Sequence, residues 1–261
     1  MIQICGYLLE GTHFVTSLHF TNQSFVESTN ILLNTLIQNN PKVHSLSFEK
    51  VSDLNTKLLF STLELNTSIV NLHFIETPIS KEFIADLSFV LRNNTTLTSL
   101  SLNKGSIEDK EILKLSQALH KNTTLRNLRL CENEIKDKGA LILEKLFLKN
   151  STVTHISLPG NNTVANKTII GRILLLVTKN REFDELCSYT KIWPQSHKQL
   201  SQSTRKFVEE IVLVLKNFYL PKDLQILIII FCLHIHHTQQ LTTQKLEINN
   251  KYGETFMHIP D

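Results

Sequence analysis

NTTLTSLSL at Asn94 to Leu102 returns as NTTLRNLRL at Asn122 to Leu130, 28 residues further along the chain. The core of that phrase occurs six times: VTSLHF from Val15, VHSLSF from Val43, IVNLHF from Ile69, LTSLSL from Leu97, LRNLRL from Leu125 and VTHISL from Val153. Successive starts are 28, 26, 28, 28 and 28 residues apart. Each copy reads apolar-x-x-apolar-x-apolar, a pattern that chance does not hold in register over six copies. A fixed period of this length marks a stack of small units, none of which can bury its apolar face without its neighbours.

Within a unit, the end of the phrase alternates, as in Leu100-Ser101-Leu102, which is the mark of a half-buried strand. Between phrases the period changes. Ile112, Leu115, Ala118 and Leu119 recur at helical spacing over residues 107–120, and Ala140, Leu143, Leu146 and Phe147 do so over 135–148. Each unit therefore reads as strand, loop, helix and turn, followed by the next strand in parallel. Asn40, Asn66, Asn94, Asn122 and Asn150 stand just before the phrases. Asn tolerates the left-handed backbone of a helix C-cap, so these residues are expected to end each helix in that conformation.

The bulk properties agree with a folded chain. It has 261 residues, 41% of them hydrophobic, and a net charge of +3. So small a positive excess argues against nucleic acid or an anionic membrane as partner. The cysteines, Cys5, Cys131, Cys187 and Cys232, show no metal-ligand spacing and read as free thiols of a reducing compartment. MIQICGYLLEGTHF has neither a basic leader nor a long apolar core, which predicts a cytoplasmic protein without a secretory signal. LQILIIIFCLHI, the most apolar stretch, falls short of the ~20 residues a membrane-spanning helix needs and reads as a buried helix.

A 28-residue unit written L-x-x-L-x-L-x-x-N-x-I resembles the leucine-rich repeat of the ribonuclease-inhibitor-like subtype. The fifth unit, LRNLRLCENEIKDKGALILEKLFLKN, carries the resemblance best, with Asn133 at the Asn position and Ile135 and Gly139-Ala140 following. The sixth unit has Asn161 there, whereas the others have Gln23, Val51, Thr77 and Gly105. The family's Asn bonds backbone groups in its loop, so the resemblance implies less regular loops in the N-terminal units. It also implies an α/β solenoid, a horseshoe with parallel strands on its concave face and helices on its convex face. This repeat domain is assigned to residues 1–181.

On such a strand array, alternate side chains leave the core. Because Leu100 and Leu102 point inward, Ser99, Ser101 and Asn103 point out. Applied to each unit, the rule gives a candidate partner-binding face of Ser17, His19, Ser45, Ser47, Glu49, Asn71, His73, Ser99, Ser101, Asn103, Asn127, Arg129, His155 and Ser157, together with Thr21, Ile75, Cys131 and Pro159. It is short-chained, polar and nearly neutral, which suits a protein partner and lacks the Lys/Arg density that a phosphate backbone requires.

No catalytic constellation is legible. His19, His73 and His155 sit two or more units apart, about 10 Å or more, too far to share a zinc ion. There is no G-x-S-x-G, no phosphate-binding glycine loop and no H-E-x-x-H. The expected activity is a non-enzymatic protein–protein interaction by a monomer that needs no cofactor or metal.

After Pro159-Gly160 the rhythm stops. Residues 165–179 read as one more helix covering the last repeat and closed by TKNREF, residues 188–203 as a connecting loop, and 205–219 as a further helix. The C-terminal region, 182–261, is then a helical cap or module with a polar tail from Thr238. LPKDLQILIIIFC also resembles the opening of an F-box through Leu220, Pro221, Asp223 and Leu224. That resemblance implies an alternative role over 220–235, a ubiquitin-ligase substrate adaptor. The Asn/Lys/Ile/Thr-rich lettering of a short chain of this type resembles translocated effectors of intracellular bacteria such as Legionella, which would act inside a host cell with the tail as secretion signal.

Overall fold

The computed structural model describes residues 15–161, 164, 166–190 and 201–215, and single residues at 232, 239 and 243. The chain divides into two compact units, residues 1–177 and 178–261. In the first, six strands alternate with helices: β1 (Ser17–Thr21), α1 (Glu27–Asn39), β2 (Ser45–Glu49), α2 (Thr56–Leu65), β3 (Asn71–Ile75), α3 (Lys81–Asn93), β4 (Ser99–Asn103), α4 (Asp109–Leu119), β5 (Asn127–Arg129), α5 (Asp137–Lys149) and β6 (His155–Ser157). The strands form one sheet in chain order, β1 to β6. Every pairing is parallel and joins equivalent positions of neighbouring units, as in Leu46 to Leu72 to Leu100 to Leu128. This is a leucine-rich-repeat-like α/β stack.

The inward rows explain the phrase. Leu46, Leu72 and Leu100 are fully buried, as are Phe48, Phe74 and Leu102 behind them. The helices supply the opposite wall through Leu59, Phe60, Ile84, Leu87, Ile112, Leu115, Leu143 and Phe147, each at most 2% exposed. Full burial of such a side chain stabilises by about 1.5–3 kcal/mol. No unit could obtain this alone, because each inward row is completed by the unit on either side.

The asparagines before the strands do a different job from the one expected. Asn40, Asn66, Asn94 and Asn150 cap their helices with extended backbone (φ −123, −73, −70 and −82) rather than the left-handed form. The side chain carries the joint. Asn94 donates Nδ2 to the Leu63 carbonyl of the preceding unit at 2.8 Å, while its Oδ1 accepts from the Thr96 and Leu97 amides at 2.9 and 2.7 Å. Asn122 repeats the pattern on Leu91, Thr124 and Leu125, and Asn150 on Leu119, Thr152 and Val153. A buried amide that ties one unit's helix end to the next unit's strand entry satisfies groups that would otherwise stay unpaired.

Left-handed backbone occurs instead beyond each strand, two residues past its last inward side chain. Asn22, Lys50, Glu76, Lys104 and Glu132 have φ between 51 and 55, and Gly160 has φ 81. For a residue with a Cβ this costs roughly 1–2 kcal/mol. The turn aims each amide at the next unit: Lys50 N–H donates to the Ile75 carbonyl, Glu76 to Asn103 and Lys104 to Cys131, each at 3.0 Å.

The N-terminal loops are ordered without the Asn. Thr77 replaces it with a hydroxyl that donates toward the Phe48 and Ile75 carbonyls at 3.3 and 3.2 Å and accepts from Val51 N–H. The first two loops pair directly, through a parallel bridge between Ser24 and Ser52. Some irregularity remains: Asp53 in the second loop and Ser106 in the fourth add a further left-handed residue, and Oε1 of Gln23, at the Asn position of the first, is buried without a hydrogen-bond partner.

After β6, α6 (Lys167–Thr190) begins in the first unit. It does not close at TKNREF but continues to Thr190, about two further turns, since that stretch holds no Gly or Pro to stop it. Arg172 of this helix forms a two-pronged ion pair with Glu144 of α5, Nε on Oε1 and Nη2 on Oε2 at 2.9 Å, with side chains only 13% and 5% exposed. In the second unit, α7 spans Gln202–Leu215. The F-box-like segment with Leu220, Pro221, Asp223 and Leu224, and the tail from Thr238, lie outside the described residues apart from Cys232, Gln239 and Thr243. Among the described residues no helix is long and apolar enough to cross a membrane.

Candidate functional site

The strand register arranges the outward side chains in rows across the sheet. The entry row is Ser17, Ser45, Asn71, Ser99, Asn127 and His155; the central row is His19, Ser47, His73, Ser101, Arg129 and Ser157. The exit row is Thr21, Glu49, Ile75 and Asn103. The alternation rule thus brings the predicted residues onto one surface, but it does not make them equally available. Ser47 and Ser101 are 3% and 2% exposed, against exposed His19 and Arg129. The reason lies in the central row itself, which alternates long and short side chains. Each of these serines stands one strand step, about 4.8 Å, from a larger neighbour on both sides, so the imidazoles and the guanidinium overhang it.

His73 occupies the middle of this row and is half-buried. Desolvation pushes its imidazole below the ordinary histidine value, and the Arg129 and His19 charges push in the same direction. The three groups therefore feel one another although they sit on alternate strands. Glu49 is the lone carboxylate in the rows, displaced to the exit row opposite Ile75. Arg129 has no carboxylate partner among the described residues.

Other members already hold the scaffold. Asn103 Oδ1 accepts from the Cys131 amide at 3.0 Å, and the Cys131 thiol donates to Ser157 Oγ at 3.2 Å. His155 Nδ1 lies 3.0 Å from Thr154 Oγ1. Among the described residues no group of three or more His, Cys, Asp or Glu could hold a metal ion.

Sequence reasoning missed the feature beside this face. The left-handed turn residues Lys50, Glu76, Lys104 and Glu132 alternate in sign and join in a ladder, with contacts of 3.4, 3.0 and 3.6 Å. The hydrogen bond from Lys104 holds the Glu76 carboxyl below its usual value, and the same bond raises the Lys104 ammonium. The signal was available as a lysine or glutamate recurring at one phase of the repeat. A groove elsewhere, lined by Ile37, Pro41, Thr62, Leu65 and Thr67, opens where the spacing contracts and α2 has only 10 residues. It is lined by no ionisable side chain.

No family model matches the chain, and no curated protein matches it. Among solved structures, it is similar to one described as Leiomodin-1 Actin-Binding Site 2, at 18% identity and a TM-score of 0.46, covering 70% of this chain and 90% of that one. At that identity and superposition the likeness says nothing about this chain's partner.

Proposed function

We propose that the chain is a non-enzymatic interaction module of the ribonuclease-inhibitor-like type, whose outward strand rows form the concave face of a horseshoe and hold a partner protein. The carrying observation is the unbroken register of six parallel strands, which sets polar side chains in straight rows over a rigid, fully packed core. Such a surface offers a partner many modest hydrogen bonds at fixed spacing without ordering cost on this side. Ser47 and Ser101 act as its floor, while His19, Asn71, His73, Ser99, Asn127, Arg129 and His155 make the contacts.

The test is affinity capture with the tagged full chain, repeated with Ser99→Arg/Asn127→Arg and with Leu113→Arg on the helix side, where Leu113 is 37% exposed. A protein retained by the native chain and the Leu113 variant, and lost with the strand-face variant, supports the reading. Retention by the strand-face variant sinks it. The host-cell effector role rests on the sequence resemblance, and delivery that persists after removing residues 238–261 would dispose of the tail as its signal.

A further inference from the structure

The central row carries a charge arrangement that its own fold does not answer. Reading across the strands, it runs His, Ser, His, Ser, Arg, Ser. Its three long side chains are all cations or potential cations, and they flank the buried Ser47 and Ser101. His73 and Arg129 stand on either side of Ser101, on strands two steps, or about 10 Å, apart. With Arg129 exposed and His73 half-buried, one planar anionic group laid across Ser101 can meet both. The charged and titratable groups around it come from neighbouring strands: Glu49 on β2, His19 on β1 and Arg129 on β5, with the uncharged Ser99, Ser101 and Asn103 facing it from β4. Glu49 is offset toward the strand exits, so no acid of the described rows stands between His73 and Arg129.

From this placement we infer that the pair His73 and Arg129 receives a carboxylate of an acidic segment of the partner protein, and that His73 takes up a proton as it binds. The inference rests on the strand-face reading above. A guanidinium offers a carboxylate two parallel N–H donors, and a protonated imidazole supplies a second charge-assisted bond from the opposite side. The entry row, with Asn71, Ser99 and Asn127, then has amides and hydroxyls for the backbone of the same segment.

The sign of the linkage follows. In the free chain, desolvation and the Arg129 and His19 charges hold the His73 imidazole below the ordinary histidine value. An incoming carboxylate reverses the local charge and raises the imidazole's proton affinity in the complex. Binding therefore strengthens as pH falls through the bound-state value and levels off below the free-state value.

The experiment uses fluorescein-labelled hexaglutamate as probe, with the full chain, at low salt, read by anisotropy between pH 7.5 and 5.5. The expected result is binding that tightens about threefold to tenfold over that window, at most one proton's worth per pH unit. Arg129→Gln weakens binding at every pH. His73→Gln flattens the pH dependence, while Lys104→Gln, which removes the same charge from the ladder beside the face, changes little. Circular dichroism confirms that each variant is folded. Equal losses for Arg129→Gln and Lys104→Gln would mean attraction to net charge only and would overturn the inference, as would an unchanged slope in His73→Gln or no binding of the probe. The two readings fail separately. A captured partner lost with Ser99→Arg/Asn127→Arg but indifferent to pH and to Arg129→Gln leaves the strand-face reading standing and removes this one.

Discussion

The first three repeats and the last three solve the same packing problem with different chemistry. In the first three, the inward position at the end of the phrase is Phe20, Phe48 and Phe74, whose rings stack with centroids 5.4 and 5.1 Å apart. Phe25, Phe60 and Phe83 meet this spine edge-on. In the last three the same position is Leu102, Leu130 and Leu158, and the loops are pinned by amides: Asn133 donates to the Leu102 carbonyl at 2.7 Å and Asn161 to Leu130 at 2.7 Å. The N-terminal half is thus held from within its core, and the C-terminal half gains a second brace in its loops. A solenoid tolerates this because each unit needs to match only its neighbours.

The largest expected effect tests the aromatic spine. Phe48→Ala should destabilise by about 3–5 kcal/mol in chemical denaturation, with Leu102→Ala in the lower part of its own range of about 2–5 kcal/mol. The margin reflects the ring pairs, worth about 0.5–1.5 kcal/mol beyond area. Equal losses would show that the rings act as bulk only.

Next comes the C-terminal end, where Arg172→Met strands Glu144 in a buried site and should cost about 3–5 kcal/mol. Adding Glu144→Leu should recover most of it. A double variant as unstable as the single one would mean that the helix contact, not the ion pair, matters there.

The loop braces rank third. Asn133→Ala removes the partner of the Leu102 carbonyl and of the Gly105 and Ile107 amides. The expected loss is about 1–3 kcal/mol, against about 0.5–1.5 for Thr77→Val, which removes one hydroxyl. A costlier Thr77 variant would reverse the contrast between the halves.

The smallest effect belongs to the exposed ladder. Glu76→Gln should shift the denaturation midpoint least and lose its effect in high salt. Because the Glu76 carboxyl is held below its ordinary value of 4.5, its contribution is full above the unfolded-state value and disappears as pH falls through the folded one. Lys104, raised above 10.5, contributes fully below that value and loses its contribution as pH climbs through the folded one. A difference between native and Glu76→Gln chains that persists in acid, below the folded-state value, would show that the glutamate acts through packing.

Legibility followed locality. Strand and helix order, the inward rows and the identity of the outward rows could be read because each depends on spacing within one unit. The burial of Ser47 and Ser101 could not, since it depends on the size of residues 26 or 28 positions away on both sides. The left-handed turns were hidden for a related reason: Lys50, Glu76, Lys104 and Glu132 are poor local candidates for positive φ. Their cost is met by amide bonds to the next unit, such as Glu76 N–H to the Asn103 carbonyl at 3.0 Å.

By itself the sequence determined a parallel stack of strand–helix units, because the apolar rows that bury between neighbours are written into a fixed period. It also determined which side chains leave the core. Only the tertiary structure decided which of those remain reachable, and that His73 sits desolvated in a row with Arg129 and His19 while the acids Glu76 and Glu132 pair with lysines at the edge. Periodicity places a residue within its own unit. Burial, charge and proton affinity come from residues on neighbouring units, which the fold alone brings within reach.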